Sequence, residues 1–252
     1  FPQKIQYFIH HLIFNLFLRR FVFTERHKIM KKFALIMAGG SGTRMKTEIP
    51  KQFIEIAGLP VIMHTILRFE QFDPEIQIIL VLPENQFDLW KQLCKKHNLS
   101  KPFKLAKGGE TRFHSVKNGL KLIDEEGIVF IHDAVRPLVS VQTLQNCIYT
   151  TIIKGNALPV IPVTDSVRIS ENDHSFPADR SKIFLVQTPQ TFQTSQIISA
   201  YNCVTHSGFT DDATVLESTG LEINLVEGNR ENIKITTPAD LIIAEAFLNK
   251  KQ

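Results

Sequence analysis

The chain is organised around residues 33–53, which read FALIMAGGSGTRMKTEIPKQF. The apolar run Phe33–Met37 predicts a buried strand, and after Ala38 come three glycines within four residues, 39–42. Glycine lets the backbone turn tightly, so that several N–H groups can point into one concavity that suits phosphate oxygens. Arg44 and Lys51 add positive charge at the rim of this concavity. The stretch therefore predicts a strand that leads into a phosphate-binding loop.

The same stretch lacks the marks of two common nucleotide-binding loops. No Gly-Lys-Ser/Thr follows the glycines at the spacing of a Walker loop. Met45 stands where a dinucleotide fingerprint requires its third glycine. On the glycines alone, a packing turn that binds nothing is the alternative. Arg44 and the Pro50-Lys51-Gln52 segment favour the binding loop.

Composition predicts an ordinary globular protein without affinity for nucleic acid. The chain has 252 residues, of which 43% are hydrophobic and 21% charged, enough for one large or two small domains. The formal charge of +4 comes from residues 1–29, where five basic residues face a single acid. The other 24 basic and 24 acidic residues cancel, so the body has no basic excess.

The three cysteines also limit the class of protein. Cys94, Cys147 and Cys203 lie far apart and show no CxxC spacing. This pattern argues against a zinc cluster or a disulfide framework and favours a reducing cytoplasm.

Residues 1–29 differ from the rest and form an N-terminal extension. Their apolar run, residues 5–18, is shorter than the ~20 residues of a membrane span. Its apolar positions follow helical spacing, which permits an amphipathic surface helix. Met30 is a natural start just before the first strand. We expect residues 1–29 to be non-native or disordered, with a membrane-surface anchor as the alternative, and residues 30–252 to form the folded domain. No membrane partner is expected unless the extension is native.

The body alternates strands with helices, and the strands are mostly apolar throughout. This pattern predicts an α/β fold with a Rossmann-like, doubly wound, mostly parallel sheet, whose ligands lie at the carboxyl ends of the strands. Strands are predicted at 33–37, 76–82, 103–106, 127–132 and 157–163, and helices at 60–72, 87–97, 111–122, 141–153 and 238–248.

A second motif, residues 107–116 (KGGETRFHSV), follows the predicted strand 103–106. Its two glycines permit close approach of the backbone. Backbone groups of Gly109 and Glu110, with the hydroxyl of Ser115, would suit the polar edge of a small base. The alternative is a loop that only feeds an amphipathic helix.

A third motif, residues 131–137 (IHDAVRP), follows the predicted strand 127–132. Asp133 lies where a metal-bridged triphosphate needs a carboxylate, since Mg²⁺ takes one or two carboxylates together with phosphates. Arg136 would suit an anionic second substrate. A structural Asp–Arg pair at a turn is the alternative, and His132 is interpreted as structural.

Later segments predict an arm and two further sites. Residues 164–182 are polar, with a turn at Asn172-Asp173 between two extended pieces, which predicts a protruding β-arm. Such an arm suits a homodimer in which each copy reaches over the other's site. Capping is a sufficient explanation for Asp211 or Asp212 at a helix start. Lys234 is an isolated cation in a strand-like run, where a solvated lysine is the alternative.

Together the motifs AGGSGTRM with PKQF, GGETRFHSV, HDAVRP, QTPQTF, TDDA and NIKITTP resemble one nucleotidyltransferase family in order and spacing. That family is 2-C-methyl-D-erythritol 4-phosphate cytidylyltransferase, and several blocks are similar to its Bacteroidetes members. The resemblance runs from about residue 30 to 247 and leaves out residues 1–29. Ser166 stands where the family usually has threonine, which keeps the hydroxyl.

The resemblance implies a reaction of CTP with a polyol phosphate, a divalent cation such as Mg²⁺, a homodimer with exchanged arms and a cytoplasmic location. Its implied catalytic residues are Arg44 and Lys51. Its implied nucleotide-binding residues are Ala38, Gly39, Gly40, Ser41, Gly42, Thr43, Gly109, Glu110, Ser115, Asp133 and Ala134. Its implied acceptor-binding residues are Arg136, Ser166, Arg180, Thr210 and Lys234, of which Ser166 and Arg180 would come from the second subunit.

Two other functions remain open at this point. A ribitol 5-phosphate cytidylyltransferase shares the fold and the loop and differs in the acceptor. A nucleotide-binding module without turnover is the alternative from another class. Binding alone would not require Arg44, Lys51, Asp133 and Lys234 together, which argues against the module.

Overall fold

The computed structural model describes residues 30–39, 49–204 and 206–250. The extension, residues 1–29, lies outside the described residues. So do Gly40, Ser41, Gly42, Thr43 and Arg44 of the glycine-rich loop. The predictions for these two segments therefore stay predictions.

Twelve strands and seven α-helices make up the described fold. The strands are β1 (Lys31–Met37), β2 (Glu55–Ile56), β3 (Leu59–Pro60), β4 (Gln77–Leu82), β5 (Phe103–Lys107), β6 (Gly127–Asp133), β7 (Asn156–Pro162), β8 (Arg168–Glu171), β9 (His174–Pro177), β10 (Phe184–Val186), β11 (Gln190–Gln193) and β12 (Leu225–Glu227). The helices are α1 (Val61–Phe72), α2 (Phe87–Lys96), α3 (Arg112–Leu120), α4 (Val141–Lys154), α5 (Thr194–Cys203), α6 (Asp212–Glu217) and α7 (Pro238–Asn249).

Eight of these strands form one mostly parallel sheet. Its order is β10-β7-β11-β6-β1-β4-β5, with β12 paired to β7. β1 runs parallel to both β4 and β6, and Met37 lies level with Val81 on one side and Asp133 on the other. The carboxyl ends of the central strands therefore meet at one edge, as predicted for a doubly wound sheet.

Helices cover both faces of the sheet, which explains why its central strands are apolar at nearly every position. Ala34 and Ile36 of β1 face a core built with α1, α2 and α4. Phe33 and Leu35 face a second core built with α3, α5 and α6. α7 packs elsewhere, in a smaller cluster beside the carboxyl edge of β6. In the described ranges no helix is long and apolar enough to cross a membrane.

The predicted β-arm is present as an exposed hairpin. β8 pairs antiparallel with β9, and all eight residues of the two strands are exposed. Asn172 and Asp173 form the turn with φ values of 46° and 64°. Two successive residues with positive φ are typical of a tight hairpin turn whose twist matches that of the strands. The arm and its turn are confirmed; its part in dimerisation stays a prediction.

Two segments differ from the sequence-based expectation. β11, from the QTPQTF motif, is inserted antiparallel between β6 and β7, where the sequence analysis assigned no strand. The run around Lys234 is not a strand, although it is strand-like in sequence. The N–H of Ile235 donates to Val135 O at 2.9 Å and the Ile235 side chain is buried, so packing rather than a ladder holds this run.

Candidate active site

The site begins where backbone hydrogen bonds join the ends of the central strands. The N–H of Ala38, just after β1, donates to Val81 O of β4 at 2.9 Å. The N–H of Ala134, just after β6, donates to Met37 O at 3.0 Å. Ala38 and Ala134 are thereby held at one edge, where each was expected.

The second motif folds into a short loop fastened to the first turn of α3. The N–H of Gly109 donates to Ser115 Oγ at 2.9 Å, and that hydroxyl donates to Thr111 O at 3.0 Å. A Cβ atom on Gly109 would lie 2.4 Å from His114 Cβ, so no larger residue fits there. A Cβ on Gly39 would lie 3.4 Å from Ser115 Oγ. Gly39, Gly109 and Ser115 are thus neighbours, while Glu110 lies exposed beside them.

The hydrogen bonds that the Ser115 hydroxyl makes within the protein determine which donor or acceptor position remains for a ligand. A serine hydroxyl has one proton to donate and two lone pairs to accept with. The proton goes to Thr111 O and one lone pair to the Gly109 N–H. Ser115 therefore presents one acceptor, which matches an amino group better than a carbonyl.

Asp133 is the centre of a charge cluster at the end of β6. Its Oδ2 atom lies 3.0 Å from Lys234 Nζ and 3.2 Å from Arg136 Nε, and its side chain is only 12% exposed. Burial alone would raise the pKa of the Asp133 carboxyl. The charges of Lys234, Arg136 and Arg112 outweigh burial and hold that pKa well below its usual range. The Asp133–Arg136 pair was one alternative from the sequence; Lys234 makes it a three-residue cluster.

Lys51 lies next to this cluster, although 183 positions separate it from Lys234 in the chain. Its Nζ atom donates to Ile235 O at 3.2 Å. Gln52 beside it is buried and donates from Nε2 to Ala38 O at 3.1 Å and to Gln86 Oε1 at 2.9 Å. Gln52 thereby fixes the turn that carries Lys51 against the end of β1.

His132 is a structural residue, as interpreted from the sequence. It is fully buried, with Nδ1 3.0 Å from Thr188 Oγ1 and Nε2 3.1 Å from Arg136 O. Burial lowers the pKa of His132 to about 4. The ring is therefore neutral at physiological pH and fixes the backbone on which Asp133 and Arg136 lie.

Sequence reasoning missed the residues that support Arg136. Arg136 Nη1 donates to Asn232 O at 2.7 Å, and the buried Asn232 donates from Nδ2 to Thr188 O at 2.8 Å. The Thr188 hydroxyl also accepts from the N–H of Asp133 at 3.1 Å. The motifs QTPQTF and NIKITTP contain these residues, but their spacing gives no sign of which side chains meet.

Three of the expected acceptor residues, Ser166, Arg180 and Thr210, are exposed. Ser166 and Arg180 are exposed on the arm, where the Arg180 guanidinium donates to Thr164 O of the same chain. Among the described residues, neither makes a hydrogen bond or ion pair with Asp133, Arg136 or Lys234. Thr210 is exposed on the bend before α6.

The two aspartates after Thr210 have different roles. Asp211 is the cap expected at this helix start, accepting from the N–H of Thr214 at 3.0 Å. Asp212 is fully buried and binds Arg112, with Nη1–Oδ1 and Nη2–Oδ2 distances of 2.7 and 2.6 Å. Capping therefore explains Asp211 only.

Comparison with known proteins places this arrangement in one family. The family model for 2-C-methyl-D-erythritol 4-phosphate cytidylyltransferase matches residues 33–250. The protein of that name from Bacteroides fragilis is 49% identical over 219 residues, which are 87% of this chain and 100% of the relative. Its counterpart from Bacteroides thetaiotaomicron is 47% identical over 219 residues, which again cover 87% of this chain and 100% of the relative.

Solved structures agree with the sequence comparison. The crystal structure of 4-diphosphocytidyl-2C-methyl-D-erythritol synthase from Anaerococcus prevotii superposes with a TM-score of 0.75 at 29% identity, covering 87% of this chain and 99% of that one. The cytidylyltransferase from Thermus thermophilus gives a TM-score of 0.69 at 27% identity, covering 87% and 100%. From its matched motifs, its sheet and these relatives, the chain belongs to the 2-C-methyl-D-erythritol 4-phosphate cytidylyltransferase family of nucleotidyltransferases.

Proposed function

We propose that the chain joins CTP and 2-C-methyl-D-erythritol 4-phosphate, giving 4-diphosphocytidyl-2-C-methyl-D-erythritol and pyrophosphate. A phosphate oxygen of the acceptor attacks the α-phosphorus of CTP, a new P–O bond forms, and the bond to the leaving pyrophosphate breaks. The observation that carries this proposal is the cluster of Asp133, Arg136 and Lys234 with Lys51 beside it. Two phosphorylated substrates need several cations at one place.

The loop at Gly109 and Ser115 is the proposed base pocket. The one acceptor that Ser115 presents suits the 4-amino group of cytosine, whereas uracil has a carbonyl oxygen at that position. Gly109 and Gly39 bring the backbone close to the base, since neither carries a side chain. Glu110 contributes backbone groups, and Asp133 and Ala134 lie where the ribose would follow.

The cations divide between the two phosphorylated substrates. Lys234, Arg136 and the hydroxyl of Thr210 would hold the acceptor phosphate in line with the α-phosphorus. Lys51 and Arg44 would neutralise charge that develops on the transferred phosphate and on pyrophosphate. Positioning and charge neutralisation supply most of the rate in phosphoryl-type transfer, so no covalent intermediate with the protein is needed.

A divalent cation, Mg²⁺ or a similar metal, is part of this proposal. Within the described ranges no three His, Cys, Asp or Glu residues lie close enough together to hold a metal. Asp133 would contact a cation that the triphosphate mostly holds, or a water bound to it, since Mg²⁺ takes one or two carboxylates together with phosphates. Its carboxylate lies at the end of β6 with Lys234 and Arg136 on Oδ2. Such a cation supplies charge neutralisation of the triphosphate.

We also propose a homodimer in which the arms complete each other's sites. Ile169 and Phe176 lie opposite each other on the hairpin and are 41% and 43% exposed. Phe184, Leu185 and Val186 of β10 add a second exposed apolar strip. Exposed apolar surface of this kind is typical of a protein interface. A second copy would cover it and bring its Ser166 and Arg180 towards the acceptor phosphate.

We propose the cytoplasm as the location of the reaction. The three cysteines are free thiols in the described residues, two of them buried, which suits a reducing compartment.

A pyrophosphate-release assay tests the proposed function. The purified chain is given CTP and Mg²⁺ with either 2-C-methyl-D-erythritol 4-phosphate or ribitol 5-phosphate. We expect release with the first acceptor and at least about tenfold lower kcat/KM with the second. Preference for ribitol 5-phosphate would replace the proposed acceptor, and binding of CTP without release from either would make the chain a nucleotide-binding module.

A further inference from the structure

A bidentate ion pair joins the base-binding loop to the loop that carries Thr210. Arg112 is the first residue of α3, three positions after Gly109, and Asp212 is the first residue of α6, two positions after Thr210. The two terminal guanidinium nitrogens of Arg112, Nη1 and Nη2, donate to Oδ1 and Oδ2 of Asp212, at 2.7 and 2.6 Å. The two residues are 100 positions apart in the chain, so the contact exists only in the assembled fold.

The Asp212 end of the pair is fixed from several sides. Asp212 is fully buried, and Tyr201 Oη donates to its Oδ1 atom at 2.6 Å. Gln190 Oε1 accepts from the N–H groups of Asp212 and Ala213 at 2.9 and 2.8 Å. Gln190 Nε2 also donates to Asp211 Oδ2 at 2.8 Å. The start of α6, and with it Thr210, therefore cannot shift without disturbing this network.

The Arg112 end lies close enough to the charge cluster to act on Asp133. Its side chain is about one-third exposed, and its charge is one of the three that stabilise the ionised form of Asp133. Movement of the base-binding loop would move Arg112, because Arg112 directly follows the cap residue Thr111 whose carbonyl accepts from Ser115. The planar guanidinium group of arginine can donate two parallel hydrogen bonds to one carboxylate, whereas the ammonium group of lysine cannot.

We propose that Arg112 and Asp212 are positioning residues that couple the two substrate sites, so that binding of the nucleotide tightens binding of the acceptor. Nucleotide in the Gly109–Ser115 loop fixes the start of α3, Arg112 transmits this to Asp212, and Thr210 is held in place for the acceptor phosphate. Coupling between two sites is a ratio of affinities and is reciprocal. This inference rests on the proposed function. It is tested by the dissociation constant of the acceptor rather than by turnover.

Calorimetry with a CTP analogue tests the coupling. A methylene bridge between the α- and β-phosphorus atoms prevents release of pyrophosphate. 2-C-methyl-D-erythritol 4-phosphate is titrated into the wild-type protein with Mg²⁺, with and without the saturating analogue. We expect the analogue to lower the Kd of the acceptor by at least about fivefold in wild type, and by less than twofold in Arg112→Lys.

Tyr201→Phe is the matched control. It removes a hydrogen bond to the same buried carboxylate at a similar distance, but leaves the Arg112–Asp212 contact and the aromatic ring in place. We expect it to lower thermal stability while keeping the coupling ratio of wild type. Asp212→Asn, which keeps the shape of the side chain, provides the second measurement if Arg112→Lys does not fold.

The outcomes separate this inference from the proposed function. Equal coupling ratios in wild type and in Arg112→Lys, or loss of coupling in Tyr201→Phe alone, would overturn the role of the pair. A wild-type protein without any coupling would overturn it as well. Coupling that is present in wild type and lost in Arg112→Lys, without pyrophosphate release in the separate assay, would contradict the proposed function and support the pair.

Discussion

Lys234 Nζ lies 3.0 Å from Asp133 Oδ2, and Arg136 Nε contacts the same oxygen at 3.2 Å. One buried carboxylate thus orients the two cations that are proposed to bind the acceptor phosphate. The side chain of an unpaired lysine would lose rotamer entropy when it binds an anion. The carboxylate reduces that loss because it holds the lysine before the substrate arrives.

The first prediction concerns the acid side of the stability curve. The pKa of Asp133 is lower in the folded than in the unfolded chain, where it is about 3.9. The unfolded chain therefore binds the proton first as pH falls, and the stability from this carboxylate is complete above about pH 5 and declines below it. We expect Asp133→Asn to flatten the fall in free energy of unfolding between pH 5 and 3, measured by urea denaturation. An unchanged slope would contradict the low pKa.

The second prediction concerns the two proposed catalytic cations. Lys51→Ala and Arg44→Ala should each lower kcat by about 10²–10³, because each removes a charge that is proposed to stabilise the reacting phosphates, an effect of about 2.7–4 kcal/mol. The melting temperature should change by no more than a few degrees. Lys91→Ala is the control, since Lys91 is an exposed lysine paired with Asp88 on α2. Near-wild-type kcat in either site variant would refute its role.

The third prediction is specificity for cytidine. Ser115 has one acceptor left, which UTP would meet with its own carbonyl acceptor, so that a polar contact stays unpaired. We expect kcat/KM for UTP to be about 10²- to 10⁴-fold below that for CTP, and purine nucleotides to be excluded by size. Comparable values for CTP and UTP or ATP would contradict the base pocket.

The fourth prediction is that residues 1–29 are dispensable. Every residue placed in the site lies beyond Met30, and β1 begins at Lys31. A protein that starts at Met30 should release pyrophosphate at the rate of the full chain and elute at the same oligomeric state. Aggregation or loss of turnover in the truncated protein would show that the extension contributes to the fold or the reaction.

The fifth prediction concerns exchange of the arms. Lys51→Ala and Arg180→Ala homodimers should each be nearly inactive. If Arg180 acts on the second subunit, a mixed dimer has one site with both lesions and one with neither, so its activity should return towards half of wild type.

The control for this mixing experiment is Arg168→Ala, which removes an arginine of the same arm that binds Ser175 within the hairpin. Its homodimer should stay active. If Arg180 acts within its own subunit, every site in the mixed dimer keeps one lesion and no activity returns.

Much of the fold follows from the sequence because its signals are local. The apolar runs that became β1, β4 and β6 and the amphipathic segments between them predict a doubly wound sheet. Asn172-Asp173 gave the hairpin turn, since these residues tolerate positive φ. The loops that are proposed as binding sites follow strand ends in the sequence, where ligands of parallel sheets usually bind.

Only the tertiary structure decided which distant residues meet. β11 lies between β6 and β7 although its segment has no strong strand pattern, because pairing on both sides outweighs local propensity. The contact of Lys51 with Ile235 and the pairing of Arg112 with Asp212 depend on how α7 and α6 pack beside the sheet. Sequence spacing carries no information about such contacts, because the partners become neighbours only when strand register and helix packing are complete.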